Sequence, residues 1–115
     1  MRRVHTIALV CAIGLSSCDI QQVADAKFGD QHFKTAISLI ELHKVRTGAY
    51  PSSLKALRFI GDWDALALSS VDYTKLDAGY ELNVVRGWVS TPQLQYPPAF
   101  WQGLGVVRSN LKATP

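Results

Sequence analysis

The sequence predicts an α+β domain, with one long N-terminal helix and a short second helix packed on a small antiparallel sheet. Three observations predict it. Phe33, Ala36, Ile37 and Ile40 recur at the i, i+3, i+4, i+7 spacing of one helix face. Tyr80-Glu81-Leu82-Asn83-Val84 alternates apolar and polar side chains, the period of a strand with one buried face. The helical patterns come first and the strand patterns after them, which argues for helices laid across one sheet.

The long helix is expected over 30–47. Asp30 can cap it, because its carboxylate can accept from the free amides of the first turn. Leu39 widens the apolar face and His43 lies at its edge, while Lys34, Glu41, Lys44 and Arg46 read as solvent groups. Leu42 and Val45 fall outside that face. Gly48 suits a left-handed cap just past the last turn. Pro51 pushes Tyr50 toward an extended conformation. Ser52 or Ser53 then caps a short helix reaching Phe59, with Leu54 and Leu57 folded back on the long one. Residues 61–64 read as a turn, and 65–76 as either helix or strand, with a short strand at 71–74. Arg86-Gly87 reads as a hairpin turn with Trp88 to Thr91 as the return strand. Pro92, Pro97 and Pro98 keep their segment out of any central strand. Residues 104–108 read as an edge strand.

The beginning of the chain carries a different kind of signal. Arg2 and Arg3 precede an apolar run from Ile7 to Leu15, and Ser16-Ser17-Cys18 closes it. A basic start, a short apolar core and small residues at its end mark a secretory signal. A spanning helix needs about 20 apolar residues, and here Asp19 follows at once. Leu15-Ser16-Ser17-Cys18 resembles the lipobox of bacterial lipoproteins. That resemblance implies a diacylglycerol thioether on Cys18, cleavage before it, and a mature chain beginning there. Asp19 is similar to the enterobacterial signal for retention in the inner membrane. The chain thus divides into a signal peptide at 1–17, a lipidated Cys and tether at 18–29, an α+β domain at 30–110 and a flexible tail at 111–115. Within the tether, 19–27 is polar and small, suited to a linker or a frayed helix start. Gly29 weakens helix by ~1 kcal/mol relative to Ala.

Composition narrows the function. The 115 residues hold 12 Lys and Arg against 9 Asp and Glu. Arg2 and Arg3 leave with the signal, so a mature chain is nearly balanced, and its basic residues form no run. This pattern predicts a solvated surface and no nucleic-acid partner. Of the two cysteines, Cys11 is lost with the signal and Cys18 is taken by lipid, leaving no thiol for a disulfide or a nucleophile.

A second resemblance lies in the domain. Leu39, Leu42, Thr47-Gly48, Tyr50-Pro51, Leu54 and Leu57, with the later Gly79-Tyr80-Glu81-Leu82, resemble the globular part of type IV pilin-like proteins and the major pseudopilins of type II secretion. The chain has no prepilin Gly-Phe and Glu cleavage pattern and no long apolar filament helix. The resemblance therefore implies a pilin-like globular fold without filament assembly. Pseudopilins of this type hold calcium in a late loop. Asp62, Asp64, Asp72 and Asp77 match no calcium-loop spacing and read as surface carboxylates.

No catalytic constellation emerges, and the chain is not expected to be an enzyme or to carry a cofactor or metal. His32 and His43 stand ~16 Å apart on one helix and cannot share an ion. No serine sits in a nucleophile-elbow setting. Asp62 and Asp64 flanking Trp63 are the one suggestive cluster for a small hydrolase or sugar-binding module. Tyr96, Phe100 and Trp101, stiffened by Pro97 and Pro98, suit a partner-binding surface or the cover of a thin sheet. The expected function is a lipid-anchored, periplasm-facing lipoprotein that binds another protein at the membrane, as an accessory of a secretion or envelope system. An immunity-type lipoprotein that neutralises a periplasmic toxin is the alternative within the same compartment.

Overall fold

The computed structural model describes residues 2–112, with side chains from residue 19 onward. The signal reading at 1–17 and the thiol of Cys18 lie outside the described side chains. Helix α1 spans Arg2–Thr47, α2 spans Asp62–Ser69, and strands β1, β2 and β3 span Val71–Leu76, Gly79–Val84 and Val106–Arg108. The architecture is α+β, as the order of sequence patterns predicts.

The face of Phe33, Ala36, Ile37 and Ile40 is the core face of α1, each buried in the one cluster that α1 shares with the sheet and Trp101. Tyr80, Leu82 and Val84 answer from β2, with Val71 from β1 and Val106 from β3. Burying one such aliphatic or aromatic side chain contributes ~1.5–3 kcal/mol. Leu42 and Val45 remain exposed. Gly48 takes φ 86° and its amide donates to the Lys44 carbonyl at 2.8 Å, closing the helix where the sequence places the cap.

Several elements differ from expectation. The stretch 18–29, read as a tether or a frayed start, continues α1 without a break. Asp30 is therefore not an N-cap. It accepts from the Tyr96 hydroxyl at 2.7 Å and pairs with Lys34 at 3.0 Å instead. Gly29 is buried, because Pro92 closes onto α1 in the space that a side chain at Gly29 would fill. The segment after Ser53 makes only a 3-10 turn at Leu54–Ala56, and the second helix is α2, where a turn and an ambiguous stretch stood in the sequence. Leu57 is buried even so.

The sheet, ordered β1-β2-β3, is mixed rather than antiparallel throughout. β1 pairs antiparallel with β2, from Val71 opposite Val84 to Leu76 opposite Gly79. β3 runs parallel to β2 at the edge. The hairpin is thus made at Asp77-Ala78, with Gly79 at φ 99°, and not at Arg86-Gly87. Trp88 to Thr91 forms no strand, because the amides of Trp88, Val89 and Ser90 go to Asp25 of α1. Pro92, Pro97 and Pro98 lie outside the strands, in coil and a 3-10 turn at Pro98–Trp101.

The start of the expected tail is docked. Asn110 pairs with the end of β2 as a strand would, accepting from the Val84 amide at 2.9 Å and donating to the Val84 carbonyl at 2.8 Å. That grip seats Leu111 in the core.

Candidate functional site

Helix α1 carries three inward carboxylates that tie the later chain to it. Asp25 is the first. Its Oδ1 accepts from the amides of Trp88, Val89 and Ser90 at 2.8, 2.6 and 3.0 Å. Three consecutive amides aimed at one oxygen form a small anion cradle, here filled by the chain's own carboxylate. These bonds, those of Val89 and Ser90 foremost, hold Asp25 below its ordinary value, against the opposing pull of its burial. Gly87 permits the approach, because its Cα lies against the backbone of Asp25 with no room for a side chain. On the far side Gln21 donates to the Ser90 hydroxyl at 3.4 Å.

Because the folded pKa of Asp25 is depressed, its contribution to stability is complete above 3.8 and lost as pH falls through the folded value. Asp25→Asn is expected to lower the Tm at pH 7 by about 10 °C, a large effect for a domain of this size. The gap from the parent should narrow as pH falls below 3.8, where the unfolded carboxylate takes up a proton ahead of the folded one. A pair of calorimetric pH series measures both.

Glu41 is the second carboxylate, and it turns inward instead of toward solvent. Tyr50 donates to its Oε1 at 3.0 Å, and Tyr80 and the Gly105 amide donate to its Oε2 at 2.8 and 3.0 Å. Asp30 with Tyr96 is the third tie. Neither Asp25 nor Glu41 stands out in the sequence, because an acidic residue on a helix most often faces water. The only available signal was their position beside the apolar face.

Tyr96, Phe100 and Trp101 come together over Phe33. The Tyr96 and Phe100 rings stack at 4.2 Å, and Trp101 meets Phe33 edge-on at 5.9 Å. Trp101 is buried, and Tyr96 and Phe100 keep partly exposed faces. Asp62 and Asp64 lie in the first turn of α2, where acidic side chains favour the helix N-terminus. Asp64 accepts from the Gly61 amide at 3.0 Å, and Trp63 stands 81% exposed. His32 is buried beside Phe28, and burial, with Arg86 nearby, lowers its pKa. Among the described residues no group of three or more His, Cys, Asp or Glu side chains converges as a metal site.

Between α1 and α2 runs an open groove of about 820 Å³, lined by Ile20, Val23, Phe28, Trp63 and Leu66 among others. It begins at Asp19, next to Cys18. Its apolar residues are exposed, and so are Trp88 and Val89 on the loop that Asp25 holds. No helix of the described residues is long and apolar enough to cross a membrane. No protein family, characterised protein or solved structure compared with the chain matches it.

Proposed function

We propose that the chain is a bacterial lipoprotein anchored by lipid on Cys18, whose α+β domain faces the periplasm and binds another protein at the membrane. The observation that carries the reading is Leu15-Ser16-Ser17-Cys18 following a basic start and a short apolar core. Attachment through two or three acyl chains is effectively permanent, since each buried CH₂ contributes ~0.8 kcal/mol and one chain alone holds only marginally. Asp19 favours the inner membrane within this reading. The pilin-like resemblance favours a partner in a secretion or envelope system, and the exposed side chains of Phe28, Trp63 and Leu66 along the groove, away from the anchor, supply a contact surface of the kind that partners use.

Cys18→Ala is expected to abolish labelling by radioactive palmitate and to leave the uncut precursor. Normal labelling and maturation of that variant would overturn the anchor. Partner binding is tested by crosslinking the native protein in its membrane and identifying the captured chains by mass. Secretion or envelope subunits are the expected result, and a single toxin would replace this reading with an immunity role.

A further inference from the structure

We propose that the anchored end of the domain rests in the phospholipid interface, with Ile20 and Val23 of α1 and Trp88 and Val89 of the Asp25-held loop inserted among the headgroups. The inference rests on the lipid anchor at Cys18 and adds the surface that the anchor brings to the bilayer.

The geometry follows from the absence of slack. Residues 19–29 are helical and belong to α1, the same helix that carries the core face. At 1.5 Å per residue, Ile20 and Val23 lie ~3 and ~8 Å along the axis from Cys18, and Asp25 ~11 Å. The headgroup layer on each side of a bilayer is ~5–8 Å deep. An acylated Cys18 therefore carries Ile20 and Val23 into or against that layer when α1 stands on the membrane, the orientation in which this side of the helix and the Asp25 side, half a turn away, face the bilayer together.

Asp25 and, nearer the anchor, Gln21 hold the loop alongside this end of α1, at the outer edge of that layer. Its three amide bonds, with the Gln21 to Ser90 contact, fix 88–90 beside residues 21–25. Ile20, Val23, Trp88 and Val89 are 63%, 53%, 55% and 57% exposed, so four large apolar side chains stand open to solvent within two helical turns of the anchor. A tryptophan with one polar N–H on an apolar ring suits the headgroup level better than either bulk phase. The charged groups at this end do not form a basic cluster, since Asp19 and Asp25 offset Lys27 and Arg86. Insertion of apolar side chains is thus the attraction, and salt should alter it little.

The test uses the lipidated full-length mature protein in phosphatidylethanolamine and phosphatidylcholine vesicles, with the Cys18 adduct verified by mass. Trp63→Phe leaves Trp88 and the buried Trp101 as fluorophores. Lipids brominated near the headgroup are expected to quench at least half of the Trp88 emission and to shield it from aqueous iodide, in low and high salt alike. Adding Trp88→Phe should remove the quenched component. Verified lipid on Cys18, with Trp88 unquenched and still open to iodide, would overturn the resting surface and leave the anchor standing. A Cys18 without lipid would overturn both.

Discussion

Glu41→Ala is expected to lower the unfolding free energy by about 4 kcal/mol, the largest effect of any single polar substitution in the domain. Hydrogen bonds to a charged group contribute ~1.5–3 kcal/mol each, and a buried donor left without a partner costs ~1–3 kcal/mol. Removing the carboxylate strands the Tyr80 hydroxyl of a fully buried residue and frees the Gly105 amide that positions the approach to β3. Glu41→Gln keeps an acceptor but brings donors against donors, so about half the loss should remain. Urea unfolding with an unchanged slope is the measurement. Lys34→Ala, which breaks an exposed pair with Asp30 and a 5.7 Å contact of the ammonium with the Tyr96 ring, should cost about 1 kcal/mol or less and serves as the comparison. A loss that small for Glu41→Ala would show that the cluster holds nothing together.

The same cluster sets the behaviour at high pH. Burial first, and neighbouring carboxylates second, raise Tyr50, Tyr80 and Tyr96, with Tyr50 pushed up to about 12. Burial also raises Tyr73. These four are all the tyrosines of the chain. A raised folded pKa means that the stabilisation is complete below the unfolded value of 10.0 and lost as pH climbs toward the folded one. Tyrosinate absorbance should therefore lag behind free tyrosine near pH 10 and rise together with unfolding. In Glu41→Ala, Tyr50 should move part of the way back toward 10, since burial remains and the carboxylate does not.

Gly87→Ala is expected to cost about 3 kcal/mol, the range of overpacking against structure that cannot move aside. The new methyl group would meet the backbone of Asp25 itself, inside a packed helix, so the loop must lift away. Lifting breaks the three amide bonds to Asp25. Hydrogen exchange at Trp88, Val89 and Ser90 should accelerate sharply, while exchange in β1 and β2 changes only as global stability does. Because the two residues serve one contact, Gly87→Ala on top of Asp25→Asn should cost much less than it does alone. Full additivity, or unchanged exchange at 88–90, would refute the coupling between loop and helix.

What could be read from the sequence was what depends on neighbours along the chain. The period of Phe33, Ala36, Ile37 and Ile40 determined the core face of α1, because helical geometry alone puts those positions on one side. The alternation at Tyr80, Leu82 and Val84 determined the buried face of β2 for the same reason. Gly48 and the prolines acted through their own backbone preferences. The apolar run and Leu15-Ser16-Ser17-Cys18 are likewise a local pattern, which is why the expected site at Cys18 could be named at all.

The tertiary structure decided everything that needed a distant partner. The sequence places a hairpin turn at Arg86-Gly87, and the structure makes it at Asp77-Ala78. A strand was formed at Val71–Leu76, and Gly79 supplies the left-handed residue that ends the tight turn. Trp88 to Thr91 had strand-like residues, but Asp25, more than sixty positions earlier, takes its amides. Glu41 looked like a solvent group until Tyr50, Tyr80 and Gly105 converged on it. Residues 19–27 were too polar to read as a firm helix, yet they are one, because the loop and Pro92 pack against Asp25 and Gly29. A local sequence sets what each segment prefers. Long-range hydrogen bonds to carboxylates, at ~1.5–3 kcal/mol each against the ~1 kcal/mol of such a preference, and packing decide which preference survives.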